Sequence, residues 1–166
     1  VVRAEIRKAA AARKTTLTER ELPSFGALKD AEKGLIWSLV HESRAGLAAL
    51  EALDEEDLRG LAGRRILELA RSLHGETQLP TALLQRLTTV DAQVVTGIAA
   101  SPSPPAPAEE CARALKRLRW ERERAEIQRE IDRLQDLDAS RYGNEIDALW
   151  QKKKNLLLRM EESRDR

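Results

Sequence analysis

The chain has 166 residues, 42% of them hydrophobic and 34% charged, with a formal net charge of +1. That length suits one ordinary domain, or a small domain with an appendage, and the apolar share suffices for a core. A near-neutral balance gives no global reason for a nucleic-acid partner, and no apolar run is long enough to span a bilayer.

Aromatic residues make up only 3% of the chain, so the core must be aliphatic. The single cysteine, Cys111, cannot form an intrachain disulfide, which fits a reducing compartment and a cytoplasmic location. The chain opens on Val1 rather than Met and reads as a piece of a longer protein. Val1 to Lys14 lacks the apolar segment and cleavage site of a secretory signal.

Val1 to Ala12 carries Val2, Ile6 and Ala9 at helical spacing and predicts a short helix. Thr15 to Pro23 reads as a polar linker. Ala27 to His41 predicts a stronger helix, with Leu28, Leu35, Ile36, Leu39 and Val40 in one stripe. Asp30 and Glu32 lie near its start, where the helix dipole favours acids. Gly34 inside it costs helix stability and suggests a close helix–helix approach. Arg44 to Ala52 predicts a short helix with Leu47 and Leu50. Asp54-Glu55-Glu56-Asp57 resembles an N-cap followed by first-turn acids. Gly63 to Leu73 is expected to turn Ile66, Leu67, Ala70 and Leu73 inward and to stop at His74-Gly75.

Pro80 suits the first turn of a helix over Leu79 to Leu87, with Leu83, Leu84 and Leu87 on one side. Thr88 or Thr89 caps a further helix through Val94, Val95 and Ile98. No stretch alternates as a half-buried strand does, and Asn-Gly and Asp-Gly hairpin turns are absent. The expected fold is all-α: a bundle of short helices, then a long helix and a C-terminal helical hairpin. The division expected is 1–24 as a linker and short helix, 25–118 as the bundle, and 119–166 as the hairpin.

Ser101-Pro102-Ser103-Pro104-Pro105-Ala106-Pro107 reads as a linker, and the long helix follows it, from Ala108 to Leu137. Its first half puts Cys111, Ala114, Leu115, Leu118 and Ala125 on one face. Its second half puts Trp120, Ile127, Ile131 and Leu134 on another. At about 100° per residue the two stripes point about 180° apart. Serving two faces implies two packing units, with bending expected between Leu118 and Ala125. Arg141 to Asn144 supplies the expected turn into the last helix. There Ile146, Leu149, Leu156 and Met160 form a stripe, Lys153 stands where an apolar residue belongs, and Trp150 and Leu157 flank it.

Site chemistry is sparse. His41 and His74 sit at helix C-termini, where the dipole explains them. His41-Glu42 does not continue into a zinc-binding HExxH helix, and there is no Walker loop, dinucleotide fingerprint, Cys-x-x-Cys or G-x-S-x-G. Cys111 reads as a small buried hydrophobe. The acids at Asp54 to Asp57 suit a capped helix start better than a cation site. Arg117-Leu118-Arg119 and Lys152-Lys153-Lys154 are basic, but Glu121, Glu123, Glu130 and Glu161 share their helices, as on a solvated face. No catalytic, cofactor or metal residues are expected. Of the tryptophans, Trp37 reads as core. Trp120 and Trp150 lie on the hairpin arms, as packing between the arms or, for Trp150, as a partner anchor.

Three stretches carry a resemblance: Ala31-Glu32-Lys33-Gly34-Leu35-Ile36-Trp37-Ser38-Leu39-Val40, Leu53-Asp54-Glu55-Glu56-Asp57-Leu58 and Arg64-Arg65-Ile66-Leu67-Glu68-Leu69. With Glu110 to Leu115 after the Pro-rich linker, Glu126 to Ile131 and Leu156 to Met160, the chain resembles the C-terminal helicase-interacting domain of bacterial DNA primase over roughly Phe25 to Glu162. The opening helix and the acidic-then-Arg-Arg pattern are also similar to the N-terminal domain of the replicative helicase. Val1 to Lys14, standing where the tail of an upstream catalytic domain would stand, favours primase.

The primase resemblance implies a non-catalytic domain that docks primase on the hexameric replicative helicase and modulates it, the hairpin making the contact. The residues expected to bind the partner are Tyr142, Ile146, Trp150, Lys154, Leu157 and Leu158. The isolated chain is expected to be a monomer, without direct nucleic-acid or membrane binding. The competing expectation is a self-associating coiled-coil protein in which Trp150 and Leu158 face a second copy.

Overall fold

The computed structural model describes residues 27–165. Among them all regular structure is helical: α1 (Asp30–His41), α2 (Ser43–Glu51), α3 (Glu55–Leu58), α4 (Arg64–Ser72), α5 (Leu79–Arg86), α6 (Thr89–Ala99), α7 (Ala108–Asp138) and α8 (Gly143–Arg164). The expected helix over Val1 to Ala12 and the linker over Thr15 to Pro23 lie outside the described residues. The chain divides into two compact units, one of residues 27–54 with 58–112, the other of residues 55–57 with 113–165.

In the first unit α1 is the central helix and packs against α2, α4, α5 and α6. Leu35, Ile36 and Leu39 are fully buried on it and Trp37 nearly so, and Leu28 is buried just ahead of it. It begins at Asp30 rather than Ala27 because Lys29 is its N-cap, whose backbone N–H donates to Glu32 Oε2 at 2.9 Å. The other Glu32 oxygen accepts from the backbone N–H of Gly63 at 2.8 Å, just ahead of α4. An acid in a first helical turn normally faces water and the dipole. This one is completely buried and ties two helix starts together.

Two glycines let helices close on α1. A Cβ on Gly46 of α2 would stand 2.7 Å from the Leu39 backbone nitrogen and 2.9 Å from its Cα. A Cβ on Gly34 would collide with Cys111 Sγ and stand 3.1 Å from the Ala106 carbonyl oxygen. The close approach suggested by Gly34 is therefore to the start of α7, where Ala108, Cys111 and Ala112 are buried.

Side chains close the helix ends. Arg71 Nη2 donates to the carbonyls of Leu50 (3.0 Å) and Leu53 (2.6 Å), satisfying acceptors at the end of α2. Thr88 caps α6, its Oγ1 accepting from the Asp91 backbone N–H at 3.2 Å. Val94, Val95 and Ile98 point inward as expected, and so do Ile66, Leu67, Ala70 and Leu73. On α5 the expected side of Leu83, Leu84 and Leu87 divides: Leu83 is buried, Leu87 half-buried and Leu84 exposed. Leu79 fills the inward position in place of Leu84.

The Pro-rich stretch is tied down where it starts. Trp37 Nε1 donates to the Ser101 carbonyl at 2.9 Å, and His41 Nε2 lies 2.8 Å from the Ala99 carbonyl oxygen. The Trp37 and His41 rings pack against each other with centroids 4.3 Å apart and planes tilted by 34°. Both aromatic side chains of α1 thus serve the carbonyl end of α6.

Helix α7 runs unbroken for 31 residues. Its buried residues form two sets, Ala108, Cys111, Ala112 and Leu115, then Ile127, Ile131 and Leu134. On a helical wheel these sets centre about 120° apart, not 180°. The change comes from the first set: Ala108 and Ala112 are buried, Ala114 and Leu118 half-buried, and Ala125 exposed. No residue from 116 to 126 is buried.

Candidate docking surface

The second unit is built on the hairpin of α7 and α8. Ile127, Ile131, Leu134, Ile146 and Leu156 form its buried core, and Trp120, Tyr142, Leu149 and Met160 pack against it partly buried. The turn falls earlier than Arg141 to Asn144. Asp138 Oδ1 accepts from the backbone N–H groups of Ser140 (3.0 Å) and Arg141 (3.1 Å), and α8 is already helical at Gly143. An aspartate bonding the backbone two and three residues on is a turn former with no periodic signature.

Charged contacts line the arms. Arg133 grips the Glu130 carboxylate through Nε (2.8 Å) and Nη2 (2.6 Å). That hydrogen bonding lowers the Glu130 pKa below the usual carboxylate value, and the Arg133 charge assists. Lys152 Nζ lies 4.0 Å from Glu123 Oε1 across the arms. Arg119 pairs with the buried Asp57 at 3.3 Å, and Arg122 donates to the Glu56 carbonyl at 3.4 Å. The acidic run is therefore divided, with Asp57 buried and Asp54, Glu55 and Glu56 exposed.

The residues expected to bind a partner separate into two groups. Trp150 and Leu158 are exposed at 45% and 49%, and Lys154 is exposed between them. At intervals of four along α8 these three make one ridge. Leu157 is half-buried beside the ridge. It lines a shallow groove of about 320 Å³ with Arg117, Glu121, Met160, Glu161 and Arg164. Ile146 belongs elsewhere: at 7% exposure it is a core residue of the hairpin, on the same face as Leu149 and Leu156. Tyr142 packs partly buried on that core, with the Arg141 guanidinium 5.7 Å from its ring centroid.

Reading the sequence missed Leu137, exposed at 60% near the turn, because its place on α7 follows no stripe. Trp120 packs partly buried on the hairpin core, as packing between the arms requires.

The remaining chemical candidates are engaged by the chain itself. His74 Nδ1 lies 3.3 Å from the Arg71 carbonyl oxygen, and His41 is held at Ala99. Cys111 is buried with its Sγ 3.5 Å from the Ala106 carbonyl oxygen. Burial pushes its thiol pKa up, and the charges of Glu110 and Asp30 push the same way. A raised pKa is the reverse of what a nucleophilic thiol needs. Among the described residues, no group of three or more His, Cys, Asp or Glu side chains is placed to hold a metal ion, and no helix is long and apolar enough to cross a membrane.

No protein-family model, curated protein or solved structure matches the chain.

Proposed function

We propose that this chain is the helicase-binding domain of a bacterial DNA primase, a non-catalytic cytoplasmic module that docks primase on the hexameric replicative helicase and modulates it during primer synthesis. The order of the motifs from Ala31 to Met160 supports the family reading. The observation that carries the docking reading is the ridge of Trp150, Lys154 and Leu158. The hairpin already has a core of its own in Ile127, Ile131, Leu134, Ile146 and Leu156. The ridge lies outside that core, and its tryptophan and leucine stay half-exposed. A large aromatic and a leucine exposed on one helical ridge suit insertion between helices of a partner.

The test is calorimetric titration of a replicative helicase hexamer with the full chain, with Trp150→Ala and Leu158→Ala, and with a chain truncated after Asp138. Truncation of an interface anchor costs about 2 kcal/mol or more, roughly thirtyfold in affinity. Both substitutions are expected to weaken binding to that extent without changing the unfolding of the first unit, and the truncation is expected to abolish most of it. Equal binding by the truncated chain would remove the interface from the hairpin. A stable dimer by light scattering, with no helicase binding, would replace the proposal with self-association through the same ridge.

A further inference from the structure

Lys153 occupies a position in the hairpin seam that the apolar periodicity of α8 reserves for a hydrophobic residue. It is half-buried, and its Nζ donates across the seam to Gln128 Oε1 on α7. Gln128 is held in turn, its Nε2 donating to Asp132 Oδ1 at 2.8 Å. On the other side Lys153 Nζ lies 4.8 Å from the centroid of the Trp150 ring. A polar chain thus runs from Asp132 through Gln128 and Lys153 to the exposed indole.

An ammonium stem in an apolar seam is destabilising relative to Leu or Met at the same place. Polar residues at such positions are used to specify register. Trp150 is 45% exposed, so neighbouring side chains cover only part of its ring. A cation over the ring face favours one orientation of the indole.

We propose that Lys153 is a positioning residue: through Gln128 it sets the register of α8 on α7, and through its ammonium it holds the Trp150 indole in the orientation that docks on the partner. The docking half rests on the reading of the Trp150–Leu158 ridge as the helicase contact. The positioning half does not.

The experiment uses the full chain with Lys153→Met, Lys153→Arg and Trp150→Ala. The indole N–H resonance of Trp150 is assigned by its loss in Trp150→Ala. Its heteronuclear NOE reports how firmly the ring is held. Lys153→Met is expected to keep or raise the thermal midpoint while lowering that NOE, and Lys153→Arg to restore it. Ordering one side chain on binding corresponds to about a threefold to tenfold change in affinity. Lys153→Met is therefore expected to weaken helicase binding by that factor, less than Trp150→Ala does.

An unchanged Trp150 NOE in Lys153→Met overturns the proposal, whatever the helicase does. A loosened indole with unchanged affinity overturns the docking half, provided Trp150→Ala does weaken binding. If Trp150→Ala binds as tightly as the parent, the docking reading falls, while a loosened indole in Lys153→Met still supports the positioning half. Should Lys153→Met unfold the hairpin, Gln128→Ala removes the cross-seam acceptor instead, and an unchanged indole in that variant overturns the proposal.

Discussion

The carboxylate of Glu32 accepts a hydrogen bond from the Gly63 backbone N–H at 2.8 Å, inside the core of the first unit. Its second oxygen serves Lys29 at the start of α1. One buried side chain therefore satisfies N–H groups at the starts of two helices that are distant in sequence. Removing it leaves both donors without their acceptor, and an unsatisfied buried donor costs about 1–3 kcal/mol. Glu32→Ala is expected to destabilise the unit by about 3 kcal/mol or more in urea unfolding, with an unchanged slope against denaturant. Glu32→Gln keeps one acceptor oxygen and is expected to cost less.

The two close-approach glycines are expected to respond differently to the same substitution. Glycine to alanine inside a helix gains about 1 kcal/mol from propensity. At Gly46 the new methyl meets the Leu39 backbone, which has no freedom to move aside. At Gly34 the main obstacle is the Cys111 side chain. Gly46→Ala is expected to lose about 3 kcal/mol net, and Gly34→Ala about 1–2 kcal/mol. Adding Cys111→Ala to Gly34→Ala should recover part of that loss, whereas adding it to Gly46→Ala should not. Thermal unfolding of the singles and doubles measures this as a coupling energy.

Cys111 gives a pH prediction of definite sign. Burial raises the pKa of its thiol in the folded state, with Glu110 and Asp30 adding to the rise. The folded state thus favours the protonated thiol. Its contribution to stability is fully present below the ordinary thiol pKa and is lost as pH rises through the folded value. Stability measured from pH 7 to 10 should decline more steeply for the parent than for Cys111→Ala. Native-state alkylation at pH 8 should also be slow and should accelerate with urea in step with unfolding.

Along α7, residues 116–126 carry no buried side chain, while Leu115 and Ile131 on either side are fully buried. Backbone segments with few buried contacts open locally at low free-energy cost. Their amides are expected to exchange faster than those of residues 111–115 and 127–134, although all three stretches belong to one continuous helix. Hydrogen exchange read by NMR decides it. Uniform protection along α7 would make it a rigid rod rather than a helix with a locally opening middle.

Helical periodicity by itself determined the all-α class, most helix positions, the inward residues of α4 and α6, and the seam of the hairpin down to the misplaced Lys153. Those features depend on neighbours three and four residues away, which the chain order specifies directly. Tertiary structure decided which candidate surfaces remain open. Ile146 and Trp150 lie one helical turn apart on α8, yet α7 covers the first and leaves the second half-exposed. Glu32 reads locally as a dipole partner and becomes a buried acceptor only because the fold brings Gly63 to it. Cys111 and Gly34 fit together for the same reason. A helix repeats every 3.6 residues whatever surrounds it, but whether a ridge is core or surface depends on the remote segment packed against it, and no local pattern records that segment.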